Sequence, residues 1–187
     1  MHKFSHHNAA RLENPGRYEL LQPRATLAKF GLRSGMTFVD VGAGTGFFSR
    51  EASEIVGEKG IVYALDMSPE MLEILKQNGV GTNVRVMRSE EYRFPVPDGI
   101  AHLTLLSTVL HENADTRRLL AEAARVTAPA GCIAIIEWKK QDEEIGPPKS
   151  ERLGREELLA ALSGYEIVEQ GDLNKSHYYV VVRREQP

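Results

Sequence analysis

The pattern of apolar and polar positions changes its period repeatedly along this chain. From Met36 onward, short β-rich apolar runs alternate with segments whose apolar residues recur at helical spacing. This alternation predicts βαβ units built around a parallel sheet. The candidate strands are Thr37–Val41, Ile61–Asp66, Val84–Arg88, Ala101–Ser107, Cys132–Trp138, Tyr165–Gln170 and His177–Arg183.

The last two candidate strands are joined differently from the others. The stretch between Gln170 and His177 is too short for a helical crossover, so these strands should form an antiparallel hairpin at the sheet edge. The predicted fold class is therefore α/β, with a seven-stranded and mostly parallel sheet whose last strand is antiparallel.

Proline, glycine and short polar residues mark the predicted helix ends. Before the first strand, the segment Leu12–Gln22 is expected to pack over the domain as a lid. The predicted helices are Pro23–Phe30 before Gly31, Glu70–Gln77 behind Ser68-Pro69, a helix from Asn113 or Asp115 to near Val126, and Arg155–Leu162 before Gly164.

The composition is that of one globular domain. The 187 residues are 42% hydrophobic and 26% charged, which is sufficient for a substantial core. We expect a single domain over residues 1–187, with an N-terminal lid or helical segment over residues 1–35 and the α/β core over residues 36–187. The net charge of −3 provides no bulk electrostatic reason to bind nucleic acid or an anionic membrane.

The sequence also bears on where the protein functions. No apolar run is long enough to span a bilayer, and residues 1–10 lack the apolar core of a secretion signal. The one cysteine, Cys132, adjoins an apolar run, which indicates a buried structural thiol rather than a disulfide framework or a Cys-rich zinc site. We therefore expect a cytoplasmic protein without membrane insertion; the oligomeric state is left open.

The stretch VDVGAGTGFFS, Val39 to Ser49, follows the first strand and is the strongest chemical signal. A dinucleotide loop needs G-x-G-x-x-G, whose third glycine lets the helix pack closely beneath a pyrophosphate. Here Gly42, Gly44 and Gly46 form G-x-G-x-G, and Phe47 occupies the third place of the dinucleotide pattern. The loop therefore disfavours a pyrophosphate and, with it, a nicotinamide reductase.

Two acidic residues indicate which ligand the loop suits. Asp40 would repel a diphosphate but suits a ligand with an ammonium group and a positive sulfonium, which S-adenosylmethionine has. Asp66, at the end of the second strand, can accept hydrogen bonds from both ribose hydroxyls, although it could instead be a helix cap shared with Ser68. Met67 could lie flat against the adenine as a polarizable contact.

Five motifs in order, VDVGAGTGFFS, YALDMSPEML, SEEYRFPVPDG, LSTVLHE and RVTAPAGCIAIIEWK, resemble those of class I S-adenosylmethionine-dependent methyltransferases. The chain is similar to the small ubiquinone/menaquinone-biosynthesis-like and arsenite-methyltransferase-like group. The resemblance implies a Rossmann-like three-layer sandwich and S-adenosyl-L-methionine as cofactor. Arsenite transfer in that group relies on several cysteines, so the single Cys132 argues against that activity.

The resemblance also implies roles for particular residues. RSEEYRFP resembles the G-D-A-x-x-L-P segment, which places Glu90 at the adenine amino group and the backbone N–H of Glu91 at the ring. Serine at Ser89 and glutamate at Glu90 depart from that pattern, and a solvated acidic turn is the alternative. The methionine part is expected to be bordered by Gly42, Ala43, Gly44 and Ser107 and covered by Tyr18, for which a packed core tyrosine is the alternative.

The acceptor side is expected at the ends of the fourth and fifth strands. His111 and Glu112 could orient or deprotonate an acceptor, or could serve in capping and surface hydrogen bonds. Trp138 could form a wall of the acceptor pocket or part of the core. Lys139 and Lys140 could attract an anionic substrate, and KKQDEEIGPPKSERLG is either a solvated connection or a substrate-side loop.

No metal site is predicted. The zinc-binding pattern H-E-x-x-H has a second histidine four residues after the first, and in HENAD that position is Asp115. His2, His6 and His7 could chelate a metal only loosely. The leading hypothesis is a methyltransferase acting on a small-molecule acceptor by in-line transfer. The alternative is a non-catalytic adenosylmethionine-binding regulatory or partner protein.

Overall fold

The computed structural model describes residues 13–185. Leu12, the first residue of the predicted lid, lies outside the described residues, as do residues 1–10 with the histidines at positions 2, 6 and 7. The strands are β1 Thr37–Val41, β2 Ile61–Asp66, β3 Val84–Arg88, β4 Ala101–Ser107, β5 Thr127–Trp138, β6 Tyr165–Asp172 and β7 His177–Arg184.

The seven strands form one sheet in the order β3-β2-β1-β4-β5-β7-β6. Strands β1 to β5 pair in parallel, whereas β7 pairs antiparallel with both β5 and β6. The α/β class, the mostly parallel sheet and the antiparallel hairpin at its edge are thereby confirmed. Because β7 is antiparallel to its neighbours, it begins at the edge of the sheet that is formed by the carboxyl ends of β1, β2, β4 and β5.

Strand β5 begins earlier than the sequence predicts. Thr127 already pairs with Ala101, and the register then shifts before Cys132 pairs with Leu103. Pro129 and Gly131, which normally interrupt strands, lie within this irregular stretch. The ladder tolerates them because the chain bulges there.

Capping side chains define two of the helix starts. Ser68 accepts from the N–H of Met71, and Asp115, rather than Asn113, accepts from the N–H of Arg118. The helices are α1 Pro15–Leu21, α2 Pro23–Lys29, α3 Phe47–Val56, α4 Pro69–Gln77, α5 Thr116–Val126 and α6 Arg155–Ala161, with short 3₁₀ turns at Leu110–Glu112 and Lys149–Glu151.

The alternation of side chains along β5 separates two apolar cores, one on each face of the sheet. Ile133 and Ile135 belong to the core that includes residues of α5 and α6, whereas Ala134 and Ile136 belong to the core that includes residues of α2 and α3. This arrangement is the predicted Rossmann-like three-layer sandwich. Within residues 13–185, no helix is both long and apolar enough to cross a membrane.

Candidate active site

The glycine loop lies between the end of β1 and the start of α3. Gly42 and Gly46 have φ angles of +70° and +92°, a region in which a side chain would be strained. A Cβ on Gly42 would also lie 2.6 Å from Cγ2 of Val109, and one on Gly46 would lie 2.9 Å from Cγ of Leu75. The methyl of Ala43 is buried beside Ala64 and Leu75. The loop therefore packs closely against both the end of β4 and helix α4.

Asp66 joins this loop to the start of α4. Its Oδ2 accepts from the N–H of Gly44 at 2.8 Å, and its Oδ1 accepts from the N–H of Ser68 at 2.9 Å. The backbone of Met67 provides a third hydrogen bond to this carboxylate, so at least one oxygen keeps a lone pair for a ribose hydroxyl. Burial raises the pKa of Asp66, and the backbone hydrogen bonds oppose that rise. Met67 follows directly and is 39% exposed.

Asp40 lies beneath the loop and is only 2% exposed. Its Oδ2 accepts from the hydroxyl of Ser49 at 2.6 Å. Burial raises its pKa to about 6, although the Ser49 bond and the charge of Arg17 act in the opposite direction. One oxygen of this carboxylate is thus hydrogen-bonded to helix α3.

The end of β3 lies beside the end of β2. The N–H of Ser89 donates to the carbonyl of Asp66 at 3.0 Å, and the backbone of Glu90 pairs with Arg93. The side chain of Glu90 is exposed, and that of Glu91 is half-buried. Glu90 also borders a cavity of about 610 Å³ lined by the connection from β3 to β4 and by residues of α5. Glu90 therefore meets solvent near the end of β2.

Strand β4 ends in strained backbone. Thr108 has a φ of +55°, although it is β-branched, and its N–H donates to the carbonyl of Ile136 at 2.7 Å. The preceding Ser107 is 8% exposed, and its hydroxyl has no hydrogen-bond partner in the described part of the chain. A buried, unpaired hydroxyl and a strained turn beside the glycine loop are features expected of a ligand site.

His111 and Glu137 form a hydrogen-bonded pair at the ends of β4 and β5. Nδ1 of His111 lies 2.8 Å from Oε2 of Glu137, and Oε1 of Glu137 accepts from the N–H of Leu110 at 2.8 Å. Because the fully buried carboxylate is an acceptor, Nδ1 carries the proton and Nε2 keeps a lone pair when the ring is neutral. Oε1 of Glu112 lies 3.8 Å from that Nε2.

The carboxylates around His111 determine its protonation. Burial lowers the pKa of His111, but the hydrogen bond and charge of Glu137, with the charges of Glu112 and Glu151, outweigh burial and raise it above the ordinary value. The same partner therefore orients the histidine and makes it more basic.

The side chains at the end of β5 and directly after it are held by ring contacts and ion pairs. The ring of Trp138 packs against His177, with ring centroids 4.0 Å apart, and the guanidinium carbon of Arg152 lies 5.1 Å from its centroid. Lys139 pairs with Asp172 at 2.7 Å, and Lys140 pairs with Glu157 at 2.7 Å.

The long connection that follows β5 is organised by a buried arginine. Arg152 donates to the carbonyls of Lys139, Ile145 and Pro147 and to the carboxylate of Glu143. The segment after Trp138 is thereby fixed against the sheet, rather than being only a solvated connection.

Helix α1 covers the glycine loop. Glu13 accepts from the hydroxyl of Thr45 at 2.5 Å and from Arg50 at 2.8 Å. The same Arg50 donates to the hydroxyl of Tyr18 at 2.8 Å, and the ring of Tyr18 lies 4.5 Å from that of Phe47. Tyr18 is therefore both a packing residue and part of the cover over the loop.

Comparison with known proteins agrees with this geometry. Residues 39–135 match the family described as the methyltransferase domain. A solved S-adenosylmethionine-dependent methyltransferase from Aquifex aeolicus is 35% identical, with a TM-score of 0.91 over 96% of this chain and 98% of that one. This chain belongs to the S-adenosylmethionine-dependent methyltransferases.

Curated relatives of this methyltransferase are named ubiquinone/menaquinone biosynthesis C-methyltransferases. The protein from Shewanella piezotolerans is 31% identical over 126 residues, which cover 65% of this chain and 50% of the relative. That from Vibrio cholerae is 32% identical over 124 residues, covering 64% and 48%. The methyltransferase spans about half the length of these relatives.

The site residues of the methyltransferase fit the cofactor of its family. The glycine loop, the acceptor oxygens of Asp66 and the unpaired hydroxyl of Ser107 lie along one edge of the sheet, at the ends of β1, β2 and β4. These features suit the nucleoside and methionine parts of S-adenosyl-L-methionine.

The sequence analysis missed Glu137. The signal was present as an acidic residue that closes the apolar run from Ile133 to Ile136, where only a paired carboxylate could be buried. The sequence analysis named His111 and Glu112 as separate candidates, whereas the structure places the ring of His111 in a hydrogen bond with Glu137.

Proposed function

We propose that this methyltransferase methylates a small hydroxylated aromatic acceptor and that His111, held by Glu137, accepts the proton that the acceptor loses. The observation that carries the proposal is the 2.8 Å contact between Nδ1 of His111 and Oε2 of Glu137. Such an orienting carboxylate is useful when the acceptor carries a proton that must leave.

S-adenosyl-L-methionine supplies a methyl carbon bonded to a positive sulfur. An oxygen or ring carbon of the acceptor would bond to that carbon as the carbon–sulfur bond breaks, and the electron pair of the broken bond would stay on the sulfur. The acceptor's proton passes to Nε2 of His111, and the imidazolium is stabilised by the buried carboxylate of Glu137. The remaining task of the residues around the site is alignment.

The class of acceptor is supported by the names of the curated relatives, which describe C-methylation in quinone biosynthesis. The net charge of −3 favours a small molecule over a nucleic acid. Because Lys139 and Lys140 are each paired with a carboxylate, they provide little attraction for an anionic substrate.

The regulatory alternative is disfavoured by the same pair of residues. Proton transfer gives a role to a histidine that a buried carboxylate orients and whose pKa is raised, whereas cofactor binding alone does not. Relatives named as methyltransferases also favour the enzyme.

The test combines an acceptor screen with a histidine variant. Methyl-labelled S-adenosylmethionine would be incubated with a panel of phenols and hydroquinones and with a metabolite extract. With the acceptor that is labelled, His111→Ala should slow single-turnover transfer about 100- to 10,000-fold at saturating cofactor. His102→Ala is the matched control, because His102 accepts from the N–H of Thr37 at the opposite edge of the sheet. Transfer by His111→Ala at the wild-type rate would exclude its role as base.

A further inference from the structure

A second histidine lies at the same edge of the sheet and has no assigned role. His177 is the first residue of β7 and pairs with Trp138, the last residue of β5. Its ring packs against that of Trp138, at 4.0 Å between centroids. Successive residues of β5 face opposite sides of the sheet. Glu137 therefore bonds to His111 on one face, and Trp138 contacts His177 on the other face.

The hydrogen bonds of Asn174 determine which ring nitrogen of His177 is protonated. Oδ1 of Asn174 accepts from the backbone N–H groups of Ser176 and His177, both at 2.8 Å, while its Nδ2 donates to the carbonyl of Leu20. The oxygen is therefore the atom 3.1 Å from Nδ1 of His177. Since an amide oxygen only accepts, Nδ1 carries the proton and Nε2 presents a lone pair.

That lone pair is buried and unused. His177 is 1% exposed, and its Nε2 has no hydrogen-bond partner within residues 13–185. Burial, with the charges of Arg17, Arg152 and Lys139, lowers the pKa of His177 to about 4, and the charge of Glu143 opposes this shift. The ring is thus neutral near pH 7, and an unpaired acceptor in such surroundings is explained when a ligand supplies the donor.

The surroundings limit the kind of donor. The charges that lower the pKa of His177 are cationic, so a ligand ammonium would be repelled whereas a neutral hydroxyl or N–H would not. Arg17 and Leu20 both belong to α1, which therefore lies beside this imidazole. Because His177 is 1% exposed, α1 would have to move for a ligand to reach Nε2.

We propose that His177 is a specificity-determining residue of the acceptor site, whose Nε2 accepts a hydrogen bond from a neutral hydroxyl or N–H of the methyl acceptor. The inference rests on the proposed function, because it takes the acceptor to be a small hydroxylated molecule at this edge of the sheet. It assigns binding, and not proton transfer, to His177.

The test compares hydroquinone with phenol, which lacks the second hydroxyl, under anaerobic conditions. If His177 binds that hydroxyl, wild-type kcat/KM should favour hydroquinone about 5- to 150-fold, the range for leaving one buried polar group unpaired. His177→Phe keeps a ring against Trp138 and should reduce the preference to within about twofold. His177→Gln, which restores an acceptor oxygen, should recover part of it.

A control and a second readout separate this inference from the proposed function. His102→Phe changes a histidine at the other edge of the sheet and should keep the wild-type preference. In adenosylhomocysteine-loaded protein, hydroquinone should shift the ¹⁵N resonance of His177 Nε2, and phenol should not. Transfer with an unchanged preference in His177→Phe would overturn the role of His177 alone. If neither hydroquinone nor phenol is methylated, the ¹⁵N shift of His177 Nε2 is the deciding measurement. Absence of a shift with hydroquinone would then overturn the inference.

Discussion

Nδ1 of His111 lies 2.8 Å from Oε2 of Glu137, a carboxylate that is fully buried at the end of β5. The other oxygen of Glu137 accepts from the N–H of Leu110 at 2.8 Å and of His111 at 3.3 Å. The carboxylate therefore holds both the ring and the backbone of the 3₁₀ turn that carries His111. Replacing it should change catalysis more than it changes cofactor binding.

Glu137→Gln should lower the single-turnover rate about 100- to 10,000-fold, the contribution of a positioned base. The glutamine oxygen can still accept from Leu110, but its NH₂ group would then face Nδ1 and favour the tautomer whose Nε2 has no lone pair. Stopped-flow or quenched-flow transfer rates provide the measurement, and calorimetry should show unchanged affinity for adenosylhomocysteine. Glu166→Gln, on the exposed edge strand β6, is the control. Normal transfer by Glu137→Gln would leave the carboxylate a purely structural role.

The pH dependence of the rate should follow the neutral form of His111. Because its pKa is raised above 6.5, transfer should slow as the pH falls through that raised value. Glu137→Gln removes a negative charge and should shift the midpoint of any remaining activity to lower pH. Rates measured from pH 5.5 to 9 at saturating cofactor test this expectation. A rate that is flat across this range would contradict it.

The same shift predicts the opposite trend in stability. The pKa of His111 is higher in the folded than in the unfolded protein. Its contribution to stability is therefore complete below the pKa of the unfolded protein and is lost as the pH rises through the pKa of the folded protein. The difference in free energy of unfolding between wild type and His111→Ala should therefore shrink above pH 6.5. Urea titrations at several pH values measure it, and a difference that grows with pH would refute the assignment.

Asp66→Asn should weaken adenosylhomocysteine binding by about 1.5–3 kcal/mol, roughly ten- to 150-fold in affinity, because the ribose loses a charged acceptor. Asparagine retains one oxygen for Gly44 or Ser68, so the loop keeps one of its two anchors. Isothermal calorimetry gives the affinity. Asp98→Asn removes an exposed carboxylate beside Arg125 and should bind like the wild type. Equal affinities for all three proteins would leave Asp66 as a loop and helix anchor only.

Thr108→Gly should change the free energy of unfolding by less than about 1 kcal/mol, because relief of the positive φ offsets the added freedom of glycine in the unfolded chain. Thr104 lies within β4, the strand that ends just before Thr108, in ordinary extended backbone, and its hydroxyl bonds to that of Thr127. Thr104→Gly should therefore destabilise by about 2 kcal/mol or more. Chemical denaturation of both variants tests the contrast, and equal losses would show that Thr108 stores no strain.

Much of the fold was determined by the local sequence. The bounds of β1 to β4, the starts of α2 and α6, and the caps at Ser68 and Asp115 depend on period, proline, glycine and short polar residues, which act within a few positions. Gly42, Gly44 and Gly46 each have a positive φ, and their spacing can be read from the local sequence because glycine adopts this conformation without strain.

The pairings at the site were decided by the tertiary structure alone. Glu137 stands 26 residues after His111, and Asn174 reaches back across 154 residues to Leu20. Such contacts require the order β4-β5-β7 and the reversal of β7, which bring distant segments to one edge. Periodicity reports which face a side chain occupies but not which side chain it meets there. Thr108 likewise has a positive φ that a β-branched residue does not favour, so the surrounding structure, and not the residue type, decides this turn.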